Sequence, residues 1–292
     1  MAWPTDRRPS DALTGEFVPE QWSAKVLDHV KSNLVCVNAV NTSWKTELKR
    51  GDKVWIPLLA AMTGAAVDVT TTGVITNLNT TVGGTDVFIT IDTWWEVPWQ
   101  IDDSVKLQTQ VGDLAEKGAA NCAYALEKKI DTDVNALFST LASSTVYGAD
   151  GQTFNDNIMI ALMQILDEAD VPRTDRSLIV DPSTVADIYK IDKFMTYDYS
   201  RKTFSTDGYV GTLPAYNVPV FVSTNLTDAT TGSYGVLLHR DAIGLVIQDG
   251  PTVEKWREPT RHSDIINVSS VWGCDVLRTT FGKSFYTRSK VS

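Results

Sequence analysis

Residues 166–190 have the sequence LDEADVPRTDRSLIVDPSTVADIYK, and local signals divide this stretch into three elements. A residue before proline disfavours the α region, so Val171-Pro172 predicts that a helix begun near Asn155 ends at about Ala169. The apolar run SLIV predicts a short buried strand. Asp181-Pro182 is typical of a helix start, with Asp as the N-cap and Pro in the first turn. The stretch therefore predicts a helix, a strand and a second helix in succession.

The same stretch carries charges around a turn, as an active site would. These charges are Asp167, Glu168, Asp170, Arg173, Asp175, Arg176 and Asp181. Paired carboxylates of unlike pKa can serve hydrolases, so a soluble hydrolase using residues 167–181 is one hypothesis. A structural interpretation is simpler, with Asp175 capping the turn and Asp181 capping a helix. The sequence contains no Gly-x-Ser-x-Gly elbow or Walker A loop to support catalysis, and we expect no enzyme.

Apolar residues recur at helical spacing from residue 104 to 141, where they predict one long amphipathic helix. The apolar stripe is Leu107, Val111, Leu114, Ala115, Gly118, Cys122, Leu126, Ile130, Val134, Leu137 and Leu141. Unbroken, the helix would span about 55 Å, with a kink near Asp131 as an alternative. The stripe places Asp131 and Asn135 on the solvated face. The run DTDVNA imitates a calcium loop but has Ala136 where glycine is required, so we expect no metal site.

Residues 41–101 have a different pattern, with β-rich runs separated by glycine-containing turns. This segment holds Trp44, Trp55, Trp94, Trp95 and Trp99. One interpretation is that these rings fill the local core. The other is that they anchor a contact with another subunit, because tryptophan is enriched at interface hot spots. The sequence leaves both interpretations open.

Composition excludes several classes of protein. The net charge is −10, and lysines and arginines are scattered, so no basic patch marks a nucleic-acid reader. No apolar run approaches the roughly 20 residues of a membrane span. Three distant cysteines predict neither a disulfide framework nor a metal site. From residue 209 onward strands and turns alternate, and the predicted class is α+β without a cofactor.

The order of these motifs resembles the major capsid proteins of tailed bacteriophages, whose fold is shared with encapsulin shells. LKRGDKVWIP resembles the start of the family's extended loop, and WQIDDSVKLQTQVGDLAEKGAANCAYALEKKIDTDV resembles its spine helix. LDEADVPRTDRSLIVDPSTVADI resembles the passage into the axial domain, followed by YVGTLPAYNVPVFVSTNL. HRDAIGLVIQ and DIINVSSVWGCDVLR resemble the strands that close the peripheral domain. The resemblance spans nearly the whole chain.

The resemblance implies a division of the chain into five parts. These are an N-terminal arm at 1–45, an extended β loop at 46–101, the spine helix and peripheral domain at 102–171, an axial domain at 172–262, and closing strands of the peripheral domain at 263–292. In the family the extended loop reaches over a neighbouring subunit. Contacts are therefore expected from Lys49, Arg50, Asp52, Lys53, Trp55, Trp94 and Trp95.

The resemblance also implies partners and a location. The expected partners are further copies of the chain in hexamers and pentamers, a portal protein, a decoration protein, and packaged double-stranded DNA bound without sequence specificity. Only about 20 residues precede the expected fold, which implies a separate scaffolding protein. The shell would assemble in the host bacterial cytoplasm and form part of the virion. An encapsulin-like nanocompartment shell is the alternative within the same fold.

Overall fold

The computed structural model describes residues 35–44, 51–56, 86–108, 114–141, 146–191, 209–213 and 217–288, which form a mixed α and β structure. The strands are β1 (Lys53–Ile56), β2 (Val87–Thr90), β3 (Thr93–Asp102), β4 (Arg176–Val180), β5 (Tyr209–Leu213), β6 (Val218–Val222), β7 (Tyr234–His239), β8 (Ile243–Glu258), β9 (Ser263–Val276) and β10 (Gly282–Tyr286). The α-helices are α1 (Asp103–Gln108), α2 (Leu114–Ala136), α3 (Asp156–Glu168) and α4 (Pro182–Ile188). The predicted α+β class is confirmed.

Helix α2 lies on a three-stranded antiparallel sheet of order β3-β9-β8. Its residues Cys122, Leu126, Ile130 and Val134 recur every four positions, so they share one face of the helix. All four are buried in a core that also contains Trp272 of β9. The opposite face of the sheet is not covered by this helix.

The outer strands of this sheet each contain a proline. Pro98 lies in β3, and Pro251 lies in β8 beside shifts in the β8–β9 register. Proline has no N–H to donate to a neighbouring strand, so it is found in sheets chiefly at edges and bulges.

A second sheet has the order β10-β7-β4-β6-β5, in which only the β4–β6 pair is parallel. Alternate residues of β4 face opposite sides of the sheet. Leu178 and Val180 join a core with α3 and α4, whereas Ile179 joins the core beneath α2. The central strand of this sheet is therefore covered on both faces.

The region predicted as one helix over 104–141 contains two described helices. Residues 109–113 lie outside the described part of the chain. Helix α2 continues through Asp131 without a break and ends at Ala136, after which Leu137–Thr140 forms a 3-10 turn. Its 23 residues span about 34 Å at 1.5 Å per residue, shorter than expected.

Two side-chain placements predicted for this region are wrong. Leu107 was expected in the buried stripe, but it is 86% exposed on α1. Asp131 and Asn135 were expected in solvent, but both are buried. The helix is contacted from two sides, by the sheet and by residues 35–41, so a single apolar stripe does not identify all of its buried positions.

The helix, strand and helix predicted between residues 155 and 190 are confirmed. The side chain of Asn155 caps α3 by accepting the Ile158 N–H at 3.0 Å. The Asp181 carboxylate caps α4 by accepting the Thr184 N–H at 3.1 Å, and Pro182 is the first helical residue. Asp175 acts through its backbone, because it adopts a left-handed φ of 56° and its carbonyl accepts the Arg240 N–H.

Strands β1 and β2 form an antiparallel pair beside the three-stranded sheet. Val54 and Ile89 bury one face of this pair against Val246 and Leu277. Residues 57–85, which follow β1 and precede β2, lie outside the described part of the chain. The predicted loop therefore has a base that is packed on the body.

The predicted five-part division stays a prediction. The limit at residue 262 falls between β8 and β9, which pair along one sheet, and the limit at 101 falls within β3. Within the described ranges, no helix is both long and apolar enough to cross a membrane.

Gly273 on β9 allows the end of β2 to approach closely. A Cβ at this position would lie 2.0 Å from the backbone oxygen of Thr90. Gly273→Ala should therefore lower the free energy of unfolding by about 1–3 kcal/mol, the usual cost of overpacking. Gly250→Ala is the control, because a Cβ there meets no atom within 4 Å. Chemical denaturation of both variants checks this, and equal stabilities would contradict the close contact.

Candidate interaction surface

Exposed large apolar side chains concentrate at strands β1, β2, β3 and β8 and at α1. They are Trp55, Phe88, Trp94, Trp95, Val105, Leu107, Val253 and Trp256, with Ile160 and Tyr189 elsewhere. Single exposed hydrophobic residues are normal, but several on adjoining elements are typical of an interaction surface. These exposed side chains include three of the seven residues predicted as subunit contacts, all of them tryptophans.

The β1–β2 pair carries an aromatic pair on its exposed face. Trp55 and Phe88 are register partners with ring centroids 5.3 Å apart, and Trp55 is 62% exposed. The Lys53 ammonium lies 5.1 Å from the centroid of the Phe88 ring, a cation–π distance. The Asp52 carbonyl accepts the Ile91 N–H at 2.9 Å. Predicted contact residues Lys49 and Arg50 lie outside the described residues.

Trp94 and Trp95 are neighbours on β3 with different environments. Trp94 pairs with Val271 of β9 and is 75% exposed. Trp95 lies on the side of α2, where the Lys129 ammonium is 5.2 Å from its ring centroid. Trp95 therefore has a partner within the chain, and Trp94 is the more open ring.

The polar groups around Trp95 connect α2 to the sheet. Lys129 forms an ion pair with Asp133 at 2.5 Å. The Asp133 carboxylate accepts the indole N–H of buried Trp272 at 3.2 Å. These contacts fix the α2 side of the sheet, while Trp94 remains available on the other side.

The core interpretation holds for other tryptophans of the same segment. Trp99 packs against the core beneath α2, and its ring occupies the space that a Cβ on Gly118 would fill. Trp44 packs against the small core below the β1–β2 pair. The two interpretations therefore apply to different residues: Trp44 and Trp99 are core rings, and Trp55 and Trp94 are exposed.

A second exposed region, which the sequence did not predict, lies at the far end of the three-stranded sheet. Helix α1 has no buried residue, and its apolar side chains Val105 and Leu107 are exposed. Trp256 of β8 is exposed at the same end of the sheet, opposite Ile265 of β9. These apolar groups add to the candidate surface.

A network of alternating charges holds α1 to the β8–β9 hairpin. Arg257 binds both carboxylate oxygens of Asp103, with one contact at 2.6 Å, and binds Asp264 at 3.1 Å. Lys106 pairs with Asp264 and lies 3.8 Å from Asp103. Hydrogen bonds from Arg257 lower the pKa of Asp103, and those from Lys106 and Arg257 lower the pKa of Asp264. Only the Asp103–Lys106 spacing was visible in the sequence, because the other pairs require the sheet register.

The charges at residues 167–181 have structural contacts. Arg176 is buried, binds Asp167 at 2.7 Å and donates to the carbonyls of Val171 and Pro172. Burial raises the pKa of Asp167, but hydrogen bonds from Arg176 and Arg173 outweigh that effect and leave it lowered. A carboxyl group that acts as a general acid near neutral pH needs a raised pKa. This cluster closes the C-terminal end of α3 and does not favour hydrolysis.

The calcium-like run DTDVNA lies on α2, and its side chains do not converge. Asp131 faces residues 35–41, whereas Asp133 faces Trp272. Across the described ranges, no group of three or more His, Cys, Asp or Glu residues is placed to hold a metal ion.

Comparisons with known proteins agree on one family and one fold. The family model for phage capsid protein matches residues 99–282. A structure from Mycobacterium phage Che8 is similar with a TM-score of 0.74 and 23% identity, covering 94% of this chain and 98% of that one. The capsid structure of Cyanophage P-SCSP1u gives a TM-score of 0.67 at 14% identity, covering 94% of each chain. The capsid of Myoviridae Phage XM1 gives 0.64 at 16%, covering 93% of this chain and 99% of that one. No curated protein sequence matches the chain.

Trp94 and Trp272 lie on adjacent strands and should respond differently to truncation. Trp94→Ala should change the free energy of unfolding by less than about 0.5 kcal/mol, because the ring is exposed. Trp272→Ala should cost about 3–5 kcal/mol, because it leaves a cavity beneath α2. Denaturant titration of unassembled subunits measures both. A large loss for Trp94→Ala would show that this ring stabilises the subunit itself.

Proposed function

Since the family match covers residues 99–282, the chain belongs to the phage capsid protein family, and we propose that it is the major capsid protein that builds the shell of a tailed-phage virion. Similarity to capsid structures across nearly the full length of both chains is the observation that carries this proposal. The function is structural, and its chemistry is the burial of surface between copies of one chain. An encapsulin-like shell would share the fold, but the matching family is that of phage capsids.

The copies are proposed to form hexamers and pentamers through heterologous contacts, in which one face of a subunit binds a different face of the next. In this arrangement residues 1–45 are the arm, 46–101 the extended loop, 102–171 the spine helix and peripheral domain, 172–262 the axial domain, and 263–292 the closing strands. The packed base formed by Val54 and Ile89 would hold the loop at a defined angle to the body.

Two sets of residues are proposed to make the subunit contacts. Trp55 and Trp94 supply apolar anchors, and a buried interface tryptophan can contribute about 2 kcal/mol or more. Trp95 contributes less new contact, because Lys129 already covers part of its ring. Lys49, Arg50, Asp52 and Lys53 would set orientation, since charges at an interface change specificity more than affinity.

The region around α1 is proposed as a further contact surface. Its apolar groups Val105 and Leu107 stand on a helix that is positioned by the Asp103–Arg257 ion pair. Fixing exposed apolar side chains before binding reduces the entropy lost when a partner docks.

Other partners are proposed because a capsid protein must assemble a shell and enclose a genome. A portal protein, a separate scaffolding protein and a decoration protein would bind the shell or its precursor. Packaged DNA would contact the inner wall without sequence-specific binding. A net charge of −10 suits this role, because a basic wall would bind phosphates and resist movement of the genome.

Self-assembly is the direct test of the proposed function. The protein expressed alone should form capsomers, closed shells or aberrant tubes, because the exposed apolar surfaces have complementary faces on other copies. Negative-stain electron microscopy and light scattering would detect these products. A monomer that persists across a wide range of salt and protein concentration would contradict the proposal.

The extended loop should contribute more to assembly than to folding. Ile56 and Val87 are register partners, so replacing residues 58–86 with a short Gly-Ser link joins two strand ends that already pair. This variant should melt cooperatively and fail to close shells. Calorimetry and electron microscopy on the same preparation measure the two properties. An unfolded variant would assign the loop to the subunit core, and normal shells would show that it is not an assembly arm.

Charge reversal separates the orienting residues from the apolar anchors. Arg50→Glu combined with Lys53→Glu should impair shell assembly less than the loop replacement does. The defect should weaken as salt rises, because exposed charges are screened. Arg240→Glu combined with Arg278→Glu is the matched control, since both residues are exposed outside the extended loop and the net charge changes by the same amount. A similar defect in both variants would indicate a general effect of charge.

A further inference from the structure

Residues 35–43 form a short segment docked on the body. Cys36 and Val40 are buried in the core beneath α2. The Asn41 N–H donates to the Ile243 carbonyl at 3.0 Å, and the Asn41 carbonyl accepts the Leu245 N–H at 2.9 Å. The segment therefore connects α2 to the first residues of β8.

The start of this segment is capped by a side chain from a distant part of the chain. Cys36–Ala39 is a 3-10 helix whose own N-cap residue, Val35, provides no side-chain hydrogen bond. The Asp131 carboxylate of α2 instead accepts the Cys36 N–H at 3.0 Å. Asp131 also accepts from the Asn225 side chain at 3.1 Å and from the Asn135 side chain at 3.4 Å.

Asp131 is a buried carboxylate that is held by neutral donors. Within the described ranges no Lys, Arg or His forms an ion pair with it. The docked segment presents the Cys36 thiol to it, and the loop after β6 presents neutral Asn225. The charged residues one turn before it on α2, Glu127 and Lys128, are exposed.

The same cluster contains a polar atom that lacks a partner. Asn135 Oδ1 is buried without a hydrogen bond in the described structure, while the Asn135 amide nitrogen donates to the Asn225 carbonyl at 2.8 Å. An unsatisfied buried acceptor is costly. A proton on Asp131 would introduce a donor into a cluster that has an unused acceptor and would remove a buried charge.

We propose that Asp131 is a proton-dependent anchor, which holds residues 35–43 to α2 more firmly when its carboxyl group is protonated. The anchor sets how firmly residues 35–43 are held against α2 and the start of β8. It is a conformational device of the subunit and does not depend on shell assembly.

The direction of the pH effect follows from the cost of burying the charge. Burial raises the pKa of Asp131, and hydrogen bonds from Asn225, Cys36, Val37 and Asn135 reduce this rise without cancelling it. The docked state therefore binds the proton more tightly than the released state, in which the carboxylate meets water. Docking strengthens as pH falls through the raised pKa towards the ordinary value of an exposed Asp. This added stability is lost as pH rises through the raised pKa, above which docking no longer changes with pH.

Hydrogen–deuterium exchange of the intact subunit tests this proposal. Peptides covering residues 35–44 should be better protected at about pH 4, near the ordinary pKa of an exposed Asp, than at about pH 7.5, after correction for intrinsic exchange. Peptides covering 166–180 serve as the reference for opening of the other core. Equal protection of residues 35–44 at both pH values, relative to that reference, would overturn the proposal with the native protein alone.

Two variants assign the effect to Asp131. Asp131→Asn removes the titrating group and should abolish the pH dependence of protection at residues 35–44. Asp133→Asn makes the same change two residues later, where the carboxylate pairs with Lys129 and has no contact with the segment among its described hydrogen bonds, and should retain the pH dependence. Persistence of the pH dependence in a folded Asp131→Asn protein, or its loss in Asp133→Asn, would overturn the assignment.

Discussion

Strand β4 places Leu178 and Val180 in one hydrophobic core and Ile179 in the other. This alternation requires cover on both faces of the five-stranded sheet. Helices α3 and α4 provide it on one side, and the residues that follow α2 provide it on the other. Helix α2 also covers one face of the three-stranded sheet, and the β1–β2 pair covers part of the other face. The rest of that face and the ends of the sheet carry the exposed apolar groups that are proposed to contact other copies.

Local signals allowed part of this structure to be predicted from the sequence. Asn155 and Asp181 are capping residues next to apolar runs, and Val171-Pro172 marks a helix end, so α3, β4 and α4 were predicted close to their observed limits. The spacing of Leu126, Ile130 and Val134 similarly predicted the buried face of α2. Each of these signals lies within a few residues of the structure that it specifies.

Other features depend on contacts between distant residues and could not be predicted in this way. The register of β3 with β9 and the position of α2 determine how exposed each ring of β3 is, as seen for Trp94, Trp95 and Trp99. Asp131 appeared to be a surface residue because its partner Cys36 lies 95 positions earlier in the chain. The Arg257 contact with Asp103 spans 154 positions. The sequence did not show which tryptophans are exposed, and only the three-dimensional structure could separate exposed Trp55 and Trp94 from the core rings Trp44 and Trp99.

The prolines in the outer strands of the three-stranded sheet have a consequence for the cell in which the protein accumulates. A shell protein must reach high local concentration before it assembles, and unpaired sheet edges at high concentration promote fibrils. Pro98 in β3 and Pro251 in β8 each remove a main-chain donor from an edge strand. Pairing of these edges with strands of other chains is thereby disfavoured. Complementary side chains, more than backbone hydrogen bonds, then select the neighbouring subunit. The two residues thus favour finite, ordered particles over amyloid-like polymers.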